Sequence, residues 1–419
     1  MHDISRHIEA LVVEALGDTR VVGIVGPRQA GKSTLAHHLV AQRLGATSGG
    51  ARYVSLDEQR VRAAAADPDA FVADRDGLLA IDEVQRVPEL LLAIKASVDR
   101  DQRPGRFLIT GSSALSATRG VSETLAGRIE RFELWPFSQG ELAGRRESFV
   151  DRLLAGELDA GYRSDLTKRD YLERAAAGGF PEAVRRTGHR RAAWFDAYLE
   201  TVIEREAPGV AASPRTAELP RLLRLVAARH AGLLNVADLA RDAGLPERSV
   251  HRYLEVLEAV FLVRRLPAWA ANLSQREVRA PKIYLTDPGL AAHLRGAGPD
   301  VLRRPELALG ADGPVLEGFV YAEILRQCGW SAARPELSHY RDRNGAEVDI
   351  VVEDRHRRVA AIEVKSGSSI DHRDIRHLAL LRDRLGDRFA AGAVLHSGPD
   401  VLPLGDRLAA VPTSAVWEL

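Results

Sequence analysis

An α/β chain of several domains is what this sequence predicts, and three stretches carry the prediction. Residues 21–34, VVGIVGPRQAGKST, pass from a β-branched apolar run through a glycine-rich turn into a helix-forming segment. Residues 77–85, GLLAIDEVQ, are an apolar run closing on two adjacent carboxylates. In the last third, GAEVDIVVED (345–354) and RVAAIEVKSG (358–367) read as neighbouring strands carrying Asp349, Glu363 and Lys365. At about 150 residues per domain, a length of 419 implies two or three domains, each able to bury its own core.

Composition narrows the class. Acidic and basic residues balance at 58 each, so any basic face is local. The one cysteine, Cys328, excludes an internal disulfide and fits a reducing compartment. No stretch approaches the roughly 20 apolar residues of a membrane helix, and the opening MHDISRHIEA lacks an apolar signal core. A soluble, cytoplasmic protein with no membrane partner is therefore expected. Only five of the 58 basic residues are lysine: Lys32, Lys95, Lys168, Lys282 and Lys365. A compact ammonium on a flexible stem serves both a phosphate loop and a nuclease site, so Lys32 and Lys365 stand out.

In chain order, Ile4, Ile8, Leu11, Val12 and Ala15 have helical spacing and are expected to pack on a sheet. Val21, Val22, Ile24 and Val25 form a buried strand. From Gly26 to Ser33 the chain then matches G-x-x-x-x-G-K-[ST], a phosphate-binding loop. Gly26 and Gly31 admit backbone conformations that turn successive N–H groups inward onto a di- or triphosphate, and the positive end of the following helix favours the same anion. The nucleotide-binding stretch is Gly26, Pro27, Arg28, Gln29, Ala30, Gly31, Lys32, Ser33 and Thr34. Lys32 would reach the β/γ-phosphates and the Ser33 hydroxyl would ligate Mg²⁺. YVSLDEQR (53–60) reads as a second strand. GLLAIDEVQ fits a Walker B strand, with Asp82 holding Mg²⁺ through a water and Glu83 polarising the attacking water.

RFLITGSS (106–113) is a further strand, ending in hydroxyls. Strand C-termini of a parallel sheet converge on the ligand crevice, so Thr110, Ser112 or Ser113 could bond the γ-phosphate or the lytic water; Ser112 is counted in the nucleotide set. Arg128 follows Gly127 and precedes another strand. It would stabilise γ-phosphate charge if supplied across a subunit boundary, and would otherwise be a surface residue.

GPRQAGKST, LDEQR, LLAIDEVQ, RFLITGSSAL, LAGR and LWPFSQGEL, in that order and spacing, resemble the AAA-type P-loop ATPases of bacteria and archaea that carry a C-terminal domain of unknown function. The likeness continues through GGFPEA (178–183), YLETVIEREA (198–207) and KIYLTDPGL (282–290). It implies ATP and Mg²⁺ as ligands, a homo-oligomer such as a hexameric ring, and a helical lid near the nucleotide from residues around 167–177 and 190–206. Where similar proteins have an Arg-Asp pair, this chain reads Arg205-Glu206.

Residues 144–166 are weakly patterned and are expected to be an insertion or linker. Residues 233–269 show helix, a turn at Gly244, helix and then an apolar strand, a winged-helix pattern. Ala237, Leu239, Ala240 and Ala243 would be the buried side of the first helix; Val250, Tyr253, Leu254 and Leu257 that of the second. Arg248, His251 and Arg252 would then face outward, toward DNA or, where the module serves as a spacer, toward protein.

In the last third, Leu316, Phe319, Val320, Ala322 and Leu325 give a helical face, with Glu317 near its start. Side chains alternate along a strand, so Glu363 and Lys365 share one face. A strand carboxylate, an E-x-K on its neighbour and a helical glutamate ahead of both are the parts of a PD-(D/E)XK nuclease core. Asp349 and Glu363 would bind Mg²⁺ (or Mn²⁺), Lys365 would position the water and Glu317 would complete the metal sphere. RFAAGAVLHS (388–397) adds a strand to an α/β sandwich.

The expected layout is a P-loop ATPase core at 1–145, a helical lid and linker at 146–212, a winged-helix module at 213–295 and a nuclease-like α/β domain at 296–419. Two functions fit it. One is an ATPase that drives DNA binding and metal-dependent cutting. The other is an ATP-driven switch whose later domains only bind DNA or a protein.

Overall fold

Short apolar runs build two main sheets and a smaller third one. The computed structural model describes residues 4–43, 50–73, 76–112, 125–158, 160–207, 216–270, 279–302 and 310–419. The chain divides into two compact units. The first is Met1–Phe137 with Glu200–Pro214 and Ala259–Phe261; the second is Ser138–Leu199, Arg215–Glu258 and Leu262–Leu419.

In the first unit, β1 (Val21–Val25), β2 (Ala51–Ser55), β3 (Leu78–Asp82), β4 (Phe107–Gly111) and β5 (Ile129–Glu133) form a parallel sheet in the order β2-β3-β4-β1-β5. β1, β3 and β4 are buried at all five positions, which is why their sequences run apolar without alternating. The helix Lys32–Arg43 lays Leu35, Leu39 and Val40 into a core with Val22, Ile24, Leu108 and Phe132. The helix Glu9–Asp18 adds Val12 and Leu16 to it. Each such side chain contributes about 1.5–3 kcal/mol when fully buried. The strand order gathers the C-terminal ends of β1, β3 and β4 on one edge, where a parallel sheet presents its ligand crevice.

The second unit holds two layers of its own. Helices Leu219–Ala228, Val236–Ala243 and Glu247–Ala259 accompany a small antiparallel sheet of order β6-β8-β7, made of β6 (Gly232–Leu233), β7 (Val263–Leu266) and β8 (Lys282–Leu285). The Asn235 side chain caps the second of these helices and Gly244 ends it. Val250, Tyr253, Leu254 and Leu257 are buried, and Arg248, His251 and Arg252 are exposed. Ala237 was expected inside but is exposed; the buried stripe of its helix runs through Leu239, Ala240 and Ala243.

The C-terminal sheet has six strands in the order β13-β14-β12-β11-β10-β9. β9 (Glu336–Arg341), β10 (Glu347–Glu353) and β11 (Val359–Val364) form an antiparallel meander. β12 (Phe389–His396) returns parallel to β11 after the helix His372–Leu385, and β14 (Leu408–Pro412) lies between β12 and β13 (Leu402–Gly405). The helix Asp312–Trp330 precedes the meander and buries Leu316, Phe319, Val320 and Ala322.

Residues 144–166 are not a linker. They contain the helix Phe149–Ala155, which buries Phe149, Val150, Leu153 and Leu154 and packs on β12. Val150 donates to Gln327 Oε1 at 3.1 Å and Ser148 to the Leu419 carbonyl at 2.9 Å. The i, i+1, i+4, i+5 apolar spacing was present, but a seven-residue helix offers too few turns for periodicity to stand out. The helices expected as a lid are Lys168–Ala177 and Gly188–Thr201. The first packs on the helices Pro288–Leu294 and Asp312–Trp330 within the second unit. That packing explains two glycine-bearing motifs. Gly178 has φ +68°, and a Cβ there would lie 2.3 Å from Asp287 Oδ1; Asp287 in turn accepts from Gly179 N at 2.8 Å and caps Pro288–Leu294 through Leu290 N at 3.0 Å.

Candidate nucleotide site and carboxylate cluster

The phosphate-binding loop leaves β1 at Gly26, whose φ of +153° and close neighbour admit only glycine: a Cβ would sit 2.2 Å from the Leu134 carbonyl oxygen. Leu134 N donates to the Val25 carbonyl at 2.8 Å, so β5 and the loop are stitched together. Gly31 has φ +100° and Gln29 φ +61°, which turns the backbone through the loop. Arg28 is half-buried, Ala30 is buried, and Gln29 and Thr34 are exposed. Lys32 is buried, and its ammonium donates to the carbonyls of Gly26 (3.0 Å) and Pro27 (2.8 Å), lying under the loop it would serve.

Asp82, at the end of β3, gathers three hydroxyls. Ser33 Oγ donates at 2.9 and 3.0 Å, Thr110 Oγ1 at 2.5 Å and Ser55 Oγ at 3.3 Å. The register that sets Ile81 beside Ile109 delivers Thr110 here. Burial and the Asp82 carboxylate raise Tyr53 above the usual phenol range. Glu83 leaves the strand in the left-handed region, φ +58°, with its N–H donating to Thr110 Oγ1 at 3.2 Å. Burial lifts its carboxyl above the usual range; Lys32 opposes that and Asp82 adds to it. Gln85 Nε2 bonds both Glu83 Oε2 and, at 3.1 Å, Ser112 Oγ.

The predicted residues Gly26, Gly31, Lys32, Ser33, Asp82, Glu83 and Ser112 thus meet on one sheet edge. Thr110 serves Asp82 and the Glu83 backbone, Ser112 serves Gln85, and Ser113 lies outside the described residues. Arg128 is elsewhere. It precedes β5, beside the start of β1, and pairs with Asp99 at 2.5 and 3.0 Å. Five strand residues, about 17 Å at about 3.3 Å each, separate that end from the loop, so Arg128 does not serve its own chain's nucleotide. Two residues were missed. Arg6 donates to the Ala30 carbonyl at 2.8 Å and the Trp135 carbonyl at 2.5 Å, clamping the loop; Gln85 clips the Walker B glutamate. Arg6 belongs to no motif, and Gln85, though it closes the GLLAIDEVQ stretch, has no assigned role in it, so no spacing rule flags either.

In the second unit, Glu317, Asp349, Glu363 and Lys365 also meet, with a guest. Lys282, on β8, places its ammonium 2.9 Å from Glu317 Oε1, 2.8 Å from Asp349 Oδ1 and 3.1 Å from Glu347 Oε1. The Tyr284 hydroxyl donates to Glu317 Oε1 at 2.6 Å, and Val364 N to Asp349 Oδ2 at 3.0 Å. Lys365 Nζ donates to Glu363 Oε1 at 3.0 Å and lies 3.6 Å from Asp374. Glu363 Oε2 is buried with no hydrogen-bond partner. Burial and the Asp349 charge raise Glu317 to about 7 and Glu363 to about 8, against the lysines. Burial works against the Lys282 charge, yet Asp349, Glu317 and Glu347 outweigh it and raise its pKa.

The expected trio Glu317, Asp349 and Glu363 is therefore not arranged as a metal sphere here. Among the described residues no group of three or more His, Cys, Asp or Glu is set to hold a metal ion. The ammonium groups of Lys282 and Lys365 take the carboxylate oxygens instead. No helix of the described residues is long and apolar enough to cross a membrane.

An AAA domain family matches residues 18–143, and two domains of unknown function, DUF8612 and DUF4143, match 168–301 and 312–416. Uncharacterized protein Rv2008c of Mycobacterium tuberculosis and uncharacterized protein Mb2031c of Mycobacterium bovis are each 32% identical over 417 residues, covering 98% of this chain and 84% of theirs. AMPPCP-bound DnaA from Aquifex aeolicus overlaps 59% of this chain and 86% of its own at 14% identity, with a TM-score of 0.27. Pif1 helicase from Candida albicans overlaps 42% and 48% at 16% identity, with a TM-score of 0.25. Scores that low fix neither a shared fold nor a shared function. This chain belongs to the same family as the two mycobacterial proteins, with an AAA domain of the P-loop ATPase type followed by two domains of unknown function.

Proposed function

We propose that the first unit binds and hydrolyses ATP with Mg²⁺ and that this cycle governs how the second unit engages DNA. One observation carries the reading: the Ser33 hydroxyl and the Asp82 carboxylate bond each other at 2.9 and 3.0 Å beside the loop, with Glu83 the next residue. A hydroxyl and a carboxylate already paired are a donor set that fits Mg²⁺. Ser33 and Asp82 would hold the ion, which when bound would supply positive charge to offset that of the phosphates.

The chain's own residues do the rest. Loop N–H groups and the Lys32 ammonium hold the phosphates. Lys32 must exchange its bonds to the Gly26 and Pro27 carbonyls for phosphate oxygens. Glu83 orients the water and accepts its proton. Its burial, held in check by Lys32, favours a carboxyl of higher basicity than a solvated one. Gln85 holds Glu83 Oε2 and must release it for the water to bond there. Arg128 acts, if it acts on nucleotide, in a neighbouring subunit of a homo-oligomer.

The helix-turn-helix followed by the β7–β8 pair supports a winged-helix module whose Arg248, His251 and Arg252 contact DNA. A second reading adds metal-dependent cutting. It is favoured by the order helix, three antiparallel strands, helix, parallel strand from Asp312 to His396, and by Glu363 and Lys365 side by side on one face. On this reading Asp349 and Glu363 would hold the metal, in place of the Lys282 ammonium that now bonds Asp349 Oδ1 at 2.8 Å.

Incubating DNA with the wild type, Lys282→Ala and Lys365→Ala, with and without ATP, in Mg²⁺ or Mn²⁺, tests the second reading. Cutting that disappears with Lys365→Ala supports it. DNA left intact by all three proteins leaves the switch reading alone. Calorimetric titration with ATP tests the first: the wild type takes up one nucleotide per chain, and absence of uptake at millimolar ATP overturns it.

A further inference from the structure

Between the small sheet and the β9–β10 turn of the second unit lies a cleft of about 890 Å³ that none of the predicted site residues enters. Arg279, Arg341, Arg343 and Arg384 line it. Arg343 stands exposed in the turn joining β9 to β10, and Arg384 is exposed on the helix His372–Leu385. Arg279 Nη1 donates to the Arg341 carbonyl at 3.0 Å and Arg384 Nη1 to the Tyr340 hydroxyl at 2.5 Å, so two guanidinium groups are held in place by neutral acceptors, which leave the positive charge on them. Asp342 is the acid of the lining, and its Oδ1 accepts from Asn344 N at 2.8 Å and Ala346 N at 3.0 Å, shaping the turn. In a chain whose acids and bases balance, this is a local excess of positive charge concentrated in a concave wall, where field lines focus.

The cleft shares a wall with the carboxylate cluster. Arg341 Nη1 lies 3.3 Å from Glu347 Oε2, and Glu347 Oε1 lies 3.1 Å from Lys282 Nζ. Arg279 precedes Lys282 by three residues on the same segment. Planar guanidinium forks match phosphodiester oxygens in pairs, and a concave row of them suits a strand backbone better than a single small anion.

We propose that this cleft is the phosphate-backbone site for a nucleic-acid strand, which it leads to the cluster of Glu347, Asp349, Glu363 and Lys365. The proposal deepens the DNA engagement put forward above and rests on that reading. It assigns backbone grip to the cleft and leaves Arg248, His251 and Arg252 a separate surface. Single strands and duplexes, DNA or RNA, present the same phosphodiester chemistry.

Fluorescence anisotropy on the full chain, with labelled single-stranded and duplex DNA and single-stranded RNA across a salt series, tests it. The proteins are the wild type, Arg343→Glu, Arg279→Ala/Arg343→Ala/Arg384→Ala, the same three positions changed to Lys, and Arg248→Ala/Arg252→Ala. ATP turnover and thermal melting check that each variant folds. The triple alanine variant should bind at least about tenfold more weakly, with the log–log salt slope shallower by about 2–3 for three lost phosphate contacts. Arg343→Glu should lose affinity alone, and the lysine variant should recover most of it. Wild-type binding that survives both cleft variants unchanged overturns the cleft while leaving DNA engagement standing. If only Arg248→Ala/Arg252→Ala loses affinity, the helix is the site. No binding of any probe by wild type overturns both, and ATP turnover then stands by itself.

Discussion

At the residue scale, the proposed chemistry centres on Glu83 and its neighbours. The left-handed backbone at Glu83 is an uncommon conformation for a non-glycine residue, and it is held by the Thr110 hydroxyl below and Gln85 beside it. Gln85→Ala frees Glu83 Oε2, so we expect kcat to change several-fold while KM for ATP stays within twofold; equal movement of both would point to a structural role. The carboxylate cluster gives a pH signature. Glu363 is raised from 4.5 to about 8 in the folded chain, so the stability it contributes is full below pH 4.5 and is lost as pH rises through 8. Glu363→Gln should therefore flatten the fall in melting temperature between pH 5 and 8. A wild type and variant with parallel profiles would contradict the buried, raised carboxyl.

At the element scale, glycine-backed contacts and one lysine-bearing strand hold the second unit. Gly178→Ala places a Cβ against Asp287 in a left-handed conformation and should cost about 1–3 kcal/mol, read as a lower denaturant midpoint. Lys282→Met leaves Glu317 and Asp349 without its ammonium, and one partner lost from a buried ion pair costs about 3–5 kcal/mol at neutral pH. Lowering the pH should shrink that loss, because Glu317 titrates near 7.

Elements were legible in proportion to how local their signals are. The phosphate loop, the Walker B strand and the E-x-K strand declare themselves in contiguous residues, and Asp349 and Glu317 were placed by alternation and helical spacing. Lys282 was visible only as a rare lysine. Its partners lie 35 to 67 residues away, and no local pattern encodes a strand from one module inserting its ammonium into another. The helix Phe149–Ala155 was hidden for the opposite reason, being local but too short. Arg6 joins the loop to the Trp135 carbonyl across 129 residues, a tertiary contact that leaves no mark on spacing.

At the scale of the whole molecule, Arg128 poses the assembly question. It lies at the end of the parallel sheet opposite the loop, so the proposed role at a nucleotide requires a neighbouring copy. Mixing Arg128→Ala with Lys32→Ala should then restore turnover in hybrid particles, since each supplies what the other lacks. Arg128→Ala with full activity by itself would assign the residue to the Asp99 ion pair alone.

ATP chemistry at the edge where β1 and β3 end is tested most directly by phosphate release under saturating ATP and Mg²⁺. Wild type should turn over ATP; Glu83→Gln should bind it and hydrolyse it about 10²–10⁴-fold more slowly; Lys32→Ala should do neither. Turnover by Lys32→Ala and Glu83→Gln at the wild-type rate would contradict it.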